Sequence, residues 1–311
     1  MSIAAISTEV GPAGPLAAAQ DQSVFGRFSR AILRNRKATA GTVILLLVTL
    51  VAIFPGEIAH DDPQAAIYDQ SVGPSWQHLL GTTQLGQDVF SQLIWGTRLT
   101  LIVTVVVSAI ATLISMTIGV TAAYVGGLTD RTLSLITDIF LIIPTLPLLI
   151  VLASYLPPGS ITMIVVLTLT SWAFQARQLR SQGLSLRARD FLAAARVRGE
   201  RTSYIIFVEI IPTMTSLIIA SFLGLSVFVV GFAAGLQFLG LGNSTELTWG
   251  TMLYYAQQGG ALEAGNAWWA LAPGAAVAFM GAGFALVNYA FDEIGNPALR
   301  PVRKRRARTA A

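Results

Sequence analysis

The chain has 311 residues, 54% of them hydrophobic and only 12% charged, with a formal net charge of +4. Soluble domains average about 25% charged residues, so a soluble fold of this length could not cover so much apolar surface. The positive charge flanks apolar stretches, where anionic headgroups attract it, and this argues against nucleic acid as a partner. Cysteine is absent, which excludes disulfides, thiolate metal sites and cysteine nucleophiles.

Residues 1–24 are small and polar, with Gly11, Pro12, Gly14 and Pro15 and no basic residue. They read as a disordered cytoplasmic tail rather than a cleaved signal peptide. Residues 25–37 (FGRFSRAILRNRK) predict a short basic interfacial helix. A spanning helix needs about 20 mostly apolar residues, and six stretches qualify: 38–54, 97–125, 133–156, 160–180, 207–235 and 267–291. Small residues at Gly119, Gly231, Gly235, Gly274, Gly281 and Gly283 would let these helices approach closely. Pro144 and Pro147 should loosen or kink the third span.

The basic residues fix the orientation. All but Arg98 fall in four blocks, within 27–37, at Arg131, within 177–201 and within 300–308. Cytoplasmic loops carry the excess of Lys and Arg, so six spans with both termini in the cytoplasm put every block inside. Segments 56–96 and 236–266 carry acids and no Lys or Arg, and should lie outside. Trp76, Trp95, Trp249, Trp268 and Trp269 fall in or beside them, as an interfacial aromatic belt would. The coupling loop 181–206 and the basic tail 300–311 lie inside.

Catalytic motifs are lacking. A phosphate-binding loop needs Gly-Lys-Ser or Gly-Lys-Thr, whereas Lys37 is followed by Ala38 and Lys304 by Arg305. If ATP drives this protein, another chain binds the nucleotide and its magnesium. The two histidines, His60 and His78, suggest neither a metal site nor a nucleophile triad. Among charges within spans only Asp138 lies deep enough to question; a functional acid and a structural pair with an inner-loop arginine are the two readings.

The loop RARDFLAAARVRGERTSYIIFVEIIPT has a distinct design. Asp190 is placed to cap a short helix, Phe191 to Arg198 form it, and Gly199 breaks it ahead of a second helix from Glu200 to about Phe207. This helix–Gly–helix knob suits docking into a partner's groove, with its arginines pairing with acids at the rim. It resembles the cytoplasmic "EAA" coupling motif of bacterial ABC-importer membrane subunits. The matching residues are Ala194, Ala195, Gly199, Ile210 and Pro212, with Ala193 where the motif has Glu. By this resemblance Phe191, Ala194, Ala195, Arg196, Arg198, Gly199, Glu200 and Pro212 meet the ATPase.

Four further segments in order resemble the dipeptide/oligopeptide/nickel permease family. They are HLLGTTQLGQDVF at 78–90, GVTAAYVGGLTDRTLSLITDIFLIIPTLPLL at 119–149, FLGLGNSTELTWGT at 238–251 and DEIGNPALRP at 292–301. The long segment between the first two spans resembles the C-type member of the permease pair. The resemblance implies an all-α membrane protein of the type I ABC-importer permease fold in a bacterial inner membrane. It also implies a second permease as heterodimer partner, one or two ABC ATPase subunits and an extracytoplasmic binding protein. Candidate pathway residues are Asp138, Pro144, Pro147, Phe228, Phe232 and Gln237. The expected cargo is short peptides, with oligosaccharides or nickel complexes as alternatives; an ion-coupled carrier and an intramembrane enzyme are the competing classes.

Overall fold

Helix α1 (Arg36–Ile53) starts where the Asn35 side chain accepts from the Lys37 backbone N–H at 3.0 Å, satisfying one donor that a helix start leaves free. The computed structural model describes residues 35–295. The expected tails over 1–24 and 300–311, and all but the last residues of the interfacial helix over 25–37, lie outside them. Pro55 opens the single turn α2 (Pro55–Ile58), a position where its missing N–H costs nothing.

Irregular chain then leads to α3 (Val89–Val125). Its 37 residues reach about 55 Å at 1.5 Å per residue, well beyond the roughly 30 Å hydrocarbon core. The helix that contains the span predicted over 97–125 begins at Val89, so the last residues of the segment 56–96 are helical. The start is set by Asp88, whose Oδ2 accepts from the Ser91 N–H at 2.7 Å, and whose Oδ1 lies 3.0 Å from His78 Nδ1.

The single span predicted over 133–156 is broken in two. Helices α4 (Gly127–Ile142) and α5 (Thr145–Tyr155) meet at 87°. Pro144, at φ −61° and ψ 118°, sits at the corner. Proline excludes the preceding residue from the helical region, and Ile143 is extended accordingly. Pro147 causes no second break, because it lies in the first turn of α5, where an N–H has no intrahelical acceptor.

Helix α6 (Ser160–Arg187) runs past the predicted end at 180. After α7 (Asp190–Val197), the chain forms α8 (Thr202–Tyr204), a π-helical turn (Ile205–Ile210) and α9 (Ile211–Thr213) before α10 (Thr215–Phe238). The long helix within the span predicted over 207–235 thus starts at Thr215. Pro212 cannot donate to the carbonyl one turn back, and the ladder ahead of it is offset into a π turn. Helix α11 (Trp249–Gln258) lies inside the segment expected outside, and α12 (Trp268–Gly295) closes the described chain.

Among the described residues four helices, α1, α3, α10 and α12, are long and apolar enough to cross a bilayer, and the bent α4–α5 pair makes up to five. Helix α6 is long enough, but Gln175, Arg177, Gln178 and Arg180 dilute its apolar character. The predicted count of six is therefore not reached by length and composition alone. Among the described residues the only β pairing is an isolated bridge between Thr82 and Asp88.

Helix α3 packs along α6, while α10 packs on α12 and α3, and α12 on α1. A Cβ at Gly119 would fall on the carbonyl oxygen of Ala176, so glycine sets the α3–α6 approach. Ser115 Oγ ties the same pair by donating to Trp172 O at 2.7 Å. Gly231 and Gly235 behave otherwise: a Cβ there would meet nothing within 4 Å, and they lie on an exposed face of α10.

The two polar segments join at one end of the bundle. Asn266 Nδ2 donates to Thr82 O at 2.6 Å, Trp249 Nε1 to Leu93 O at 3.0 Å, and Ser160 Oγ to Glu246. Trp249 and Trp269 are buried core anchors there, not belt residues, whereas Trp76 is fully exposed. The Gly126 turn and α7 lie at the opposite end of α3, where Val120 and Leu179 pack with Leu192.

Candidate functional site

The elbow formed by α7 and Gly199 is bound tightly to the bundle on one face and bare on the other. Leu192 and Ala195 are fully buried, in a cluster with Val120, Leu179, Ile205, Ile206, Ile210 and Met214. Phe191 packs against the same cluster. Phe191 and Ala195, expected at the ATPase contact, therefore face inward. The small side chain of Ala195 lets α7 sit close on its support.

The outer face presents Ala193, Ala194 and Val197, the last 89% exposed. Val197 was not singled out by the sequence; its signal is an apolar β-branched residue among arginines just ahead of a glycine corner. Asp190 opens the first turn of α7, where its charge complements the positive helix end. It makes no capping bond, and Arg189 occupies the cap, so the predicted capping role is not taken.

Gly199 turns the chain at φ +74°, a region that costs other L-residues about 1–2 kcal/mol. Its N–H donates to Arg196 O at 3.0 Å and the Glu200 N–H to Ala195 O at 3.2 Å. The arginines are held within the chain. Arg196 lies over the Tyr124 ring at 5.3 Å and donates to Arg187 O at 3.3 Å. Arg198 reaches Glu209 at 3.1 Å and Glu200 at 3.6 Å. Exposed pairs of this kind contribute about 0–1 kcal/mol, so a partner's carboxylates can replace them at little cost. Pro212 is exposed at the second position of α9, where it shapes the π turn.

The pathway candidates do not form one site. Asp138 pairs with Arg177 of α6, both about half exposed, so it is not an isolated buried acid. Pro144 and Pro147 lie exposed at the α4–α5 corner. Phe228 and Phe232 stack with ring centroids 3.9 Å apart, and Phe228 walls a cavity of about 430 Å³ between that corner, α6, α10 and Asn288 of α12. Gln237 is 5% exposed, accepts from Thr248 Oγ1 at 2.8 Å and is packed against Gly242 and Gly250. Its amide anchors α11 to α10.

At the other end, His60, Asp61 and Asp62 border a recess, yet no three His, Asp or Glu side chains among the described residues converge as metal ligands. The Asp61 carboxylate beside Tyr68 accepts its hydrogen bond and pushes the phenol pKa up.

The architecture is that of a membrane transport subunit, with long apolar helices, a polar cap at one end and a rigid elbow at the other. Residues 115–301 match the family described as binding-protein-dependent transport system inner membrane component. Among similar proteins, the oligopeptide transport system permease protein OppC of Bacillus subtilis is 33% identical over 70% of this chain and 72% of its own. The dipeptide transport system permease protein DppC of the same organism is 33% identical over 86% of this chain and 81% of its own. A structure of the MetNI methionine ABC transporter in inward-facing conformations superposes with a TM-score of 0.53 at 21% identity, covering 67% of this chain and 97% of that one; this likeness concerns the fold.

The chain belongs to the family of inner-membrane components of binding-protein-dependent transport systems. It is a multi-pass permease of the bacterial inner membrane, and its long apolar helices and elbow acquire their meaning from that membership.

Proposed function

We propose that this chain is one of two permeases in a heterodimeric ATP-driven importer of short peptides. It contributes half of the pathway and performs no covalent chemistry. ATP and magnesium bind to one or two separate ATPase subunits, and a binding protein delivers cargo to the cap formed by residues 59–88 and 239–266. In this reading the chain crosses the bilayer six times, with α6 as one crossing and the α4–α5 pair as another, and both termini are cytoplasmic. The exposed face of α10 bearing Gly231 and Gly235 meets the second permease.

The elbow is the observation that carries this reading. A helix that buries Leu192 and Ala195 against both α3 and the π turn moves as one body with them. Force applied to Ala193, Ala194 and Val197 is therefore passed to the spans rather than absorbed by a loose loop. Nucleotide would act by stabilising one of two arrangements of the spans through this contact. The names of the peptide-transporting relatives support the cargo class. Against an ion-coupled carrier stands Asp138, the sole candidate coupling acid in the sequence reading, which is ion-paired and half exposed.

The test is reconstitution of the chain into vesicles with its partner permease, ATPase and binding protein. Peptide uptake that requires ATP and all partners supports the proposal. Uptake by this chain alone, driven by an ion gradient, contradicts it.

A further inference from the structure

Trp76 is 98% exposed, yet the turn that carries it is built rather than loose. The Ser75 N–H donates to His78 O at 2.7 Å, and the His78 N–H donates to Ser75 Oγ at 3.0 Å, so Trp76 and Gln77 stand at the corner. Below the corner the two arms are laced together. The Thr82 N–H donates to Val72 O at 2.9 Å, the Val72 N–H to Thr82 Oγ1 at 2.9 Å, and the Ser71 N–H to Thr83 O at 3.0 Å. The arms lie so close that a Cβ at Gly81 would fall 2.4 Å from Val72 O. His78 ties the turn to the start of α3 through Asp88, at 3.0 Å, and Asn266 ties Thr82 to the second cap segment.

An indole left in water forgoes the gain of burying its apolar area, and nothing among the described residues covers this one. Two kinds of surface take up an exposed indole. One is a bilayer interface; the other is a protein socket, where Trp is among the residues that dominate binding energy. Charge separates them. Anionic headgroups draw Lys and Arg, and the segments 56–96 and 236–266 hold neither. They expose Glu57, Asp62, Asp69 and Glu263 instead. Such a surface is repelled by an anionic bilayer and matches a protein face that carries Lys and Arg. The tethered turn favours the same partner, because a side chain already held in place loses less freedom on binding.

We infer that Trp76 is the anchor by which the cap holds the binding protein, entering an apolar socket ringed by basic side chains on that partner. The inference rests on the importer reading and goes beyond it in naming the residue that holds the partner and the chemistry of the face it meets.

The experiment uses the assembled permease–ATPase complex in nanodiscs of phosphatidylethanolamine and phosphatidylglycerol, with the binding protein that serves it in uptake. Association and dissociation are followed by surface plasmon resonance at low and high salt. The wild-type complex should bind, and more weakly as salt rises. Trp76→Ser should weaken binding about thirtyfold, mainly through faster dissociation. Trp76→Tyr keeps an aromatic ring and should weaken it only about threefold. Asp62→Asn combined with Asp69→Asn should slow association and flatten the salt dependence. A nitrobenzoxadiazole label on Gln77→Cys should shift its emission to the blue when the binding protein is added, and spin-labelled lipid should not quench it. Binding that is absent from the wild type, insensitive to salt, unchanged in Trp76→Ser, or lost equally in the Ser and Tyr variants overturns the inference. So does a label that lipid quenches, which would place Trp76 in the bilayer interface, or one that the binding protein leaves unmoved. Peptide uptake by the complete wild-type system is measured in parallel. Its absence would remove the importer reading itself, whereas uptake without these effects removes only the anchor.

Discussion

Arg180 of α6 grips Asp130 of α4 at two points, with Nε 2.6 Å from Oδ1 and Nη2 2.8 Å from Oδ2. The planar fork matches the carboxylate in a way that lysine cannot, and the pair is only partly exposed. Together with Asp138 and Arg177 it fastens the first half of the broken span to α6, leaving α5 to diverge. Arg180→Leu should destabilise the protein by about 1.5–3 kcal/mol, the scale of a charged hydrogen-bonded pair, and Arg180→Lys should recover part of that. Thermal unfolding of the detergent-solubilised complex checks both.

The Gly199 corner allows backbone strain to be separated from docking. A Cβ there meets nothing within 4 Å, so Ala and Trp carry the same φ penalty but differ in what they present outward. Gly199→Trp should uncouple ATP hydrolysis from uptake, while Gly199→Ala should retain most coupling. Equal losses in both would assign the effect to strain; wild-type coupling in the Trp variant would remove the corner from the contact.

Asp88 links the polar cap to the longest helix. Asp88→Ala removes the cap at the Ser91 N–H and the contact to His78, and should cost about 0.5–2 kcal/mol for the cap alone. Asp88→Asn keeps an acceptor for Ser91 and should restore much of the melting temperature.

Orientation can be read from single cysteines in this cysteine-free chain. Ser244 and Val197 are exposed at opposite ends. Ser244→Cys should react with a membrane-impermeant thiol reagent added outside, and Val197→Cys only when the reagent reaches the cytoplasmic face. The reverse pattern would invert the proposed topology.

Much of the frame was legible because it rests on local chemistry. The break at Pro144 follows from ring geometry, and the turn at Gly199 from its freedom at positive φ. What stayed hidden depends on distant partners. Ser91 and Gln92 look like loop residues, yet both are buried in the start of α3, where Gln92 Nε2 bonds Pro63 O at 3.1 Å and Gln87 Oε1 at 2.9 Å. Trp249 and Trp269 suit a membrane belt by type but fill the core of the cap.

In α7 the short helix ahead of Gly199 was legible in the sequence and its buried face was not. Eight residues are too few for periodicity to say that Ala195 points in and Ala194 out. Gln237 stands in an apolar span, and nothing in the sequence says that Thr248 bonds it.

Contact between the elbow and a separate ATPase is the centre of this account, and cross-linking from Val197→Cys in the assembled, transport-competent complex tests it most directly. The account predicts a short-range cross-link to the ATPase subunit whose yield changes when ATP binds. A complex that imports peptide at normal rates while cysteines at Ala193, Ala194 and Val197 never link to the ATPase would contradict it.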